Sequence, residues 1–263
     1  MTSDSNADKS ATVNSLEDPA SHAQLFQFGD EFVRENSDDL GDGWEDAHHH
    51  CPAHFEPLGI FDNGVVVTNP TARPGVYDSR PPAPHPLPDN QIHPGIGCAW
   101  TETGATRVAV KVIWSGNFGV KQPVPVSHVE ATPLLFVNPE SSRFGFGAWF
   151  SQLYGRTVMF AGYIGSPPED FDIVAIAHKP GPHVPGTPRE VELRVEKPGA
   201  VTVWVDGEQI NFDSGAGLSP IEVDPSMIGS TLHGFAVDAH LVDPLSDIPT
   251  LKGVEAITII ELE

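Results

Sequence analysis

The densest group of chemically capable residues is the stretch EDAHHHCPAH at 45–54, with four histidines and one cysteine in ten positions. Imidazole nitrogen and thiolate sulfur are the ligands zinc takes in tetrahedral sites. On an extended chain His48 and His50 share a face, and Cys51 and His54 are near enough in sequence to complete a set, so these four are the candidate metal ligands. The stretch has no partner pair at zinc-finger spacing, and the competing reading is a polar loop. Cys51 and Cys98 are the two cysteines of the chain, too few for a disulfide framework; they form one possible bridge, which geometry decides. Beyond zinc here, or calcium on an acidic surface, no cofactor is expected.

Saccharide binding requires aromatic platforms beside Asp or Asn groups. Trp204, Trp149, Tyr154 and Asp238 are the candidates. Against this stands the tendency of large aromatics to be core. Catalytic patterns are sparse. The E-x-D-x-E strand that supplies paired carboxylates for glycoside hydrolysis is absent. Glu190 and Glu192 continue into Arg194 and Glu196, a charged outer stripe. The QIH at Gln91 to His93 lies in a proline-rich loop, out of context for a polysaccharide lyase. No G-x-S-x-G, P-loop or dinucleotide fingerprint occurs. The expectation from these absences is no catalytic residue and no enzymatic activity.

The elements that must position these groups are short strands. Gly and Pro number 25 and 26 in 263 residues, which suits many turns rather than long helices. Val108, Val110, Val112 and Trp114 alternate with Arg107, Ala109 and Lys111. Val191, Leu193 and Val195, then Val201, Val203 and Val205, mark two strands joined at Pro198-Gly199, and Asp206-Gly207 is a two-residue hairpin turn. Further strands are expected at 58–68, 97–101, 134–138, 144–150, 157–165, 172–178, 232–240 and 254–262. The result is an all-β, two-sheet antiparallel sandwich at 25–263. Residues 1–24, polar and acidic, read as an extended docking arm. The segment 70–96, rich in proline, reads as a long loop.

The net charge of −22 excludes a nucleic-acid partner. No run is long and apolar enough for a membrane-spanning helix, and MTSDSNADKS has no apolar core of a signal peptide.

The stretch FGDEFVRENSDDLGDGWED, through Asp30, Phe32, Arg34, Leu40, Gly41 and Trp44, resembles the opening of concanavalin A-like lectin/glucanase sandwiches of the laminin-G-like kind. VTVWVDGEQI is similar to the hairpin of that fold, GSTLHGFAVDAH to its penultimate strand, and AITIIELE to its last. The resemblance implies a jelly-roll. It also implies a phage minor tail or tail-tip component, located in the virion and made in the host cytoplasm. Such a protein would be a homo-oligomer that docks on other virion proteins through 1–24 and adheres to host cell-wall glycan. The alternatives are a stand-alone carbohydrate-binding protein and a glycan-cleaving jelly-roll enzyme.

Overall fold

The computed structural model describes residues 25–41, 43–50, 55–67, 96–114, 120–121, 124–125, 127–141, 143–151, 157–164, 170–178, 188–212, 214–215, 220–223, 228–241 and 253–263. The arm expected at 1–24 lies outside them. So does the proline-rich excursion expected at 70–96, except Ile96, which opens a strand.

Two antiparallel sheets carry the fold. The seven-stranded sheet runs β1 (Gln27–Asp30), β19 (Ala256–Glu261), β6 (Val108–Trp114), β13 (Arg189–Lys197), β14 (Ala200–Val205) and β15 (Glu208–Gln209), with β17 (Ile221–Glu222) also beside β14. The eight-stranded sheet runs β16 (Ser214–Gly215), β12 (Asp170–His178), β11 (Thr157–Ile164), β10 (Arg143–Ser151), β9 (Ser127–Leu135), β18 (Leu232–Leu241), β5 (Ile96–Glu102) and β2 (Glu45–Asp46). Two hairpins stand apart, β3 (Leu58–Ile60) with β4 (Val65–Val67) and β7 (Val120–Lys121) with β8 (Val124–Pro125). One helical turn, α1 (Ala47–His50), completes the elements.

The core lies between the sheets, where the period-2 pattern puts it. Val108, Val110, Val112, Val191, Leu193, Val201 and Val203 are fully buried from one side. Ala131, Leu135, Phe146, Ala148, Phe150, Phe235 and Val237 join the same cluster from the other. The β13–β14 hairpin has the expected register, with Val191 opposite Val205 and Leu193 opposite Val203. Asp206 (φ 53°) and Gly207 (φ 76°) form its left-handed turn to β15. The last strand pairs with the first, Phe28 opposite Ile259.

Two strand expectations change. The stretch 58–68 is a hairpin, because Asp62 (φ 49°) and Asn63 (φ 59°) turn the chain back. The strand expected at 134–138 instead runs from Ser127 to Leu135. It ends where Phe136 adopts φ 54°.

The opening motif is a structural knot. The Asp30 carboxylate accepts hydrogen bonds from the Phe32 N–H (2.7 Å), Trp44 Nε1 (3.0 Å) and both Arg34 Nη atoms (3.2 and 2.8 Å). Arg34 Nη2 also donates to the Leu40 carbonyl at 2.6 Å. Phe32 is thereby held at φ 51° and buried, and Trp44 packs edge-on against Phe28 and Phe235. The six matching residues therefore close one part of the sandwich; their chemistry is used in the fold.

Candidate functional site

The outer face of the eight-stranded sheet is built by the same alternation that fills the core. Phe235 and Val237 on β18, Ala131 and Leu135 on β9, and Phe146, Ala148 and Phe150 on β10 face the other sheet. The intervening positions therefore belong to the outer face. Cross-strand register arranges them in rows. Leu134, Gly234 and Trp100 form one row; Thr132, Ala236 and Cys98 the next; Glu130, Asp238 and Ile96 the third; and His128 with His240 follows. On β10 the outer-face positions include Gly147 and Trp149, Trp149 being opposite Met159 of β11.

One end of this face is covered. Ala47, Phe55, Ile96, Cys98, Trp100, Leu134, Val137, Phe144 and Ala236 form a second apolar cluster there. Asp46 anchors the cover: one carboxylate oxygen accepts from the His48 N–H (2.8 Å) and the other from the Leu58 N–H (2.9 Å). Burial pushes the Asp46 carboxyl above its ordinary range, and those two N–H groups partly offset it. Close packing is required beneath. A Cβ on Gly97 would fall 2.3 Å from Leu58 Cδ2, and one on Gly234 would fall 2.0 Å from the Ala99 carbonyl oxygen.

The histidine-rich stretch supplies part of this cover. His48 Nδ1 is 2.8 Å from the Phe55 carbonyl oxygen, so it donates, and His50 Nε2 lies 3.4 Å from Glu45 Oε2 with its ring near Trp100. Cys51 and His54, the other two candidate ligands, lie outside the described residues, so the four are not seen as a set. Cys98 is buried on β5; its suggested partner Cys51 is outside the described residues.

The saccharide candidates divide between the two sheets. Trp204 sits on the outer face of the seven-stranded sheet, opposite Glu192. Its Nε1 donates to Thr202 Oγ1 at 3.1 Å, and the Arg194 guanidinium lies over its ring at 4.2 Å. Glu192 holds Arg194 at 2.6 and 3.1 Å and raises its pKa further. The ring face of Trp204 is thus occupied by a cation. Trp149 and Asp238 instead take outer-face positions of the eight-stranded sheet, on β10 and β18, with β9 between them. Tyr154 lies outside the described residues.

Three residues of this face were missed by sequence reading: His128, Glu130 and His240. The signal was present in H-V-E and D-A-H, each with two polar residues two apart. Pro133 hid it, because proline argues against a central strand. Here β9 pairs with β10 at Leu134 and Leu135 and runs beside β18 from Ser127 to Leu134, with Pro133 opposite Phe235. Thr132, in the row beside Glu130, is 1% exposed, and its Oγ1 has no hydrogen-bond partner among the described residues.

No protein-family model matches the sequence, and no curated protein matches it. Solved structures do. The laminarinase catalytic domain from Thermotoga maritima MSB8 is similar with a TM-score of 0.50 and 11% identity, over 91% of this chain and 98% of that one. A structure from work on endo-acting O-glycanases of the human gut microbiota gives 0.49 and 11%, over 90% and 99%. The exoplasmic/lumenal domain of VIP36, bound to Ca2+ and Man3GlcNAc, gives 0.45 and 10%, over 84% of each chain. The fold is the concanavalin A-like jelly-roll sandwich, shared by glycanases and lectin domains. The expectation of no enzymatic activity is corrected by the likeness to the laminarinase, in which a sandwich of this fold is the catalytic domain. Absence of a handful of motifs from the sequence was too narrow a ground for it.

Proposed function

We propose that this protein seats a saccharide across the outer face of the eight-stranded sheet. The observation that carries the reading is the shared face of Trp149, Glu130 and Asp238, on three neighbouring strands. An aromatic position beside carboxylates is the chemistry that holds a pyranose ring by stacking and hydrogen bonds. Trp204 belongs to the opposite sheet and takes no part.

A second reading, glycoside cleavage on the same face, draws on one detail. Glu130 and Asp238 are direct register partners. Two carboxylate residues are thereby brought to adjacent strands, and a retaining glycosidase needs such a pair, with the carboxyl groups themselves ~5–5.5 Å apart. Screening the full chain against soluble β-glucans, mannans and host cell-wall polysaccharides, with retention and release of reducing ends read together, separates the two. Retention without release supports binding; release abolished by Glu130→Gln supports cleavage; neither, across the panel, overturns the proposal.

The narrower reading of a phage tail-tip component draws on the opening motif and the acidic, lysine-poor composition. Joining of the full chain to a virion assembly, lost when the chain starts at Leu25, would support it. Full chain and truncation both remaining free would end it.

A further inference from the structure

Three segments meet at one end of the sandwich: 103–105 after β5, 136–138 after β9, and 230–233 leading into β18. The Thr103 N–H donates to the Thr231 carbonyl at 3.1 Å, and the Val137 N–H to the Leu232 carbonyl at 2.9 Å. Thr103 Oγ1 donates to the Thr231 carbonyl at 2.8 Å, and Ser230 Oγ to the Val137 carbonyl. His233 is fully buried at this join. Its Nε2–H donates to the Ala105 carbonyl at 2.9 Å, and its Nδ1 accepts from the Phe136 N–H at 3.3 Å. One imidazole on β18 thus ties 103–105 to 136–138. Phe136 is held there at φ 54°, a conformation L side chains resist. Leu134 and Val137, on either side of it, belong to the apolar cluster on the outer face of the eight-stranded sheet, and Leu232 packs against that cluster.

We infer that His233 is an acid-sensitive latch, whose protonation on Nδ1 releases 136–138 and loosens the apolar end of the outer face while the central strands stay paired. A proton on Nδ1 would face the Phe136 N–H, setting two donors against each other where no water reaches either. The joined segments hold no other titratable side chain. On β5 the charged neighbour is Glu102. Hydrogen bonds from the Thr231 side chain and the Gly104 N–H (2.7 Å) hold its carboxyl below the ordinary range, so it stays ionised and favours an imidazolium. On the seven-stranded sheet Arg107 turns its guanidinium to the Glu196 and Glu263 carbonyls. Burial outweighs the pull of Glu102 and lowers the imidazole pKa from 6.5 to about 4. The closed join therefore favours neutral imidazole, and opening takes up a proton as pH falls between those values. The latch does not depend on saccharide binding.

The test is amide hydrogen exchange of the full chain, read by NMR at pH 6.5 and pH 4.5 and corrected for the intrinsic exchange rate. For an imidazole of pKa 6.5 when opened and about 4 when closed, the opening constant should rise about 40-fold over that interval. The Phe136 and Val137 amides should lose that much protection and end at least tenfold less protected than Val110 and Leu193 on the opposite sheet. Unchanged protection at Phe136 and Val137 would overturn the inference. Protection equal at all four would also overturn it, since the whole sandwich would then be unfolding. His233→Gln keeps a donor for Ala105 and an acceptor for Phe136 but takes up no proton, so the pH dependence at Phe136 and Val137 should vanish; its persistence would overturn the latch. The imidazole resonance of His233 in the natural chain gives a readout free of any folding defect in the variant. Titration near pH 4 is expected, and titration near pH 6.5 would overturn the inference.

Discussion

His233 is fully buried at the join of three segments, and its neutral form is built into the fold. Nε2 lies 2.9 Å from the Ala105 carbonyl oxygen and so carries the proton, while Nδ1 accepts from the Phe136 N–H at 3.3 Å. A second proton would have to sit on Nδ1, against that N–H. Desolvation by burial lowers the His233 pKa from 6.5 to about 4, against the opposing pull of the Ala105 carbonyl and the Glu102 carboxylate. A depressed folded-state pKa means the unfolded chain binds more protons between these values. The contribution is therefore complete above pH 6.5 and is lost as pH falls toward 4. At about 1.4 kcal/mol per pH unit, the gap corresponds to ~3 kcal/mol in full, of which about 2 kcal/mol is lost between pH 7 and pH 5. Urea unfolding at half-unit steps from pH 7.5 to 4.5, on the natural chain and on His233→Gln, isolates it. The difference between the two should shrink with falling pH by about that amount. A difference constant across the range would refute the assignment of a buried neutral imidazole.

Three further outcomes follow from the packing. Asp30→Ala removes the acceptor for four hydrogen bonds and should cost ~2–3 kcal/mol, the discount reflecting the partly exposed Arg34; thermal unfolding should fall by several degrees, and an unchanged midpoint would show that the knot is ornamental. Gly234→Ala forces a methyl into the β5 backbone, with an expected loss of ~3 kcal/mol or failure to fold. Gly104→Ala meets open space, and only its φ of +69° opposes it, so ~1 kcal/mol is expected in the same denaturation assay.

The sandwich was legible because alternation is strict where one face is buried. Val191 to Val205 could be placed in register from sequence, since a one-residue slip would turn every valine to solvent. The D-G turn was legible from its residues, whereas the last strand was marked by the resemblance of AITIIELE rather than by alternation. The candidate face was half legible. Trp149 and Asp238 were chosen one at a time, but no sequence pattern says that β9 lies between β10 and β18. That neighbour relation joins residues about a hundred positions apart, and it is what brings Glu130 to Asp238 and His128 to His240. Trp204 drew attention because an outward tryptophan on a wet strand looks like a platform. The cation stacked on it comes from Arg194 of the neighbouring strand, beyond the reach of local alternation. The 45–54 stretch drew attention through composition, whereas the fold uses Asp46, Ala47 and His48 to cover an apolar end of the sheet.

The central claim is that a saccharide lies on the eight-stranded sheet and not on the other. It is tested most directly by affinity electrophoresis in polysaccharide-containing gels, using the best ligand from the panel with the natural chain, Trp149→Ala and Trp204→Ala. Retardation lost in Trp149→Ala and kept in Trp204→Ala is the predicted result. Retardation kept in Trp149→Ala and lost in Trp204→Ala would move the ligand to the opposite face and contradict the account.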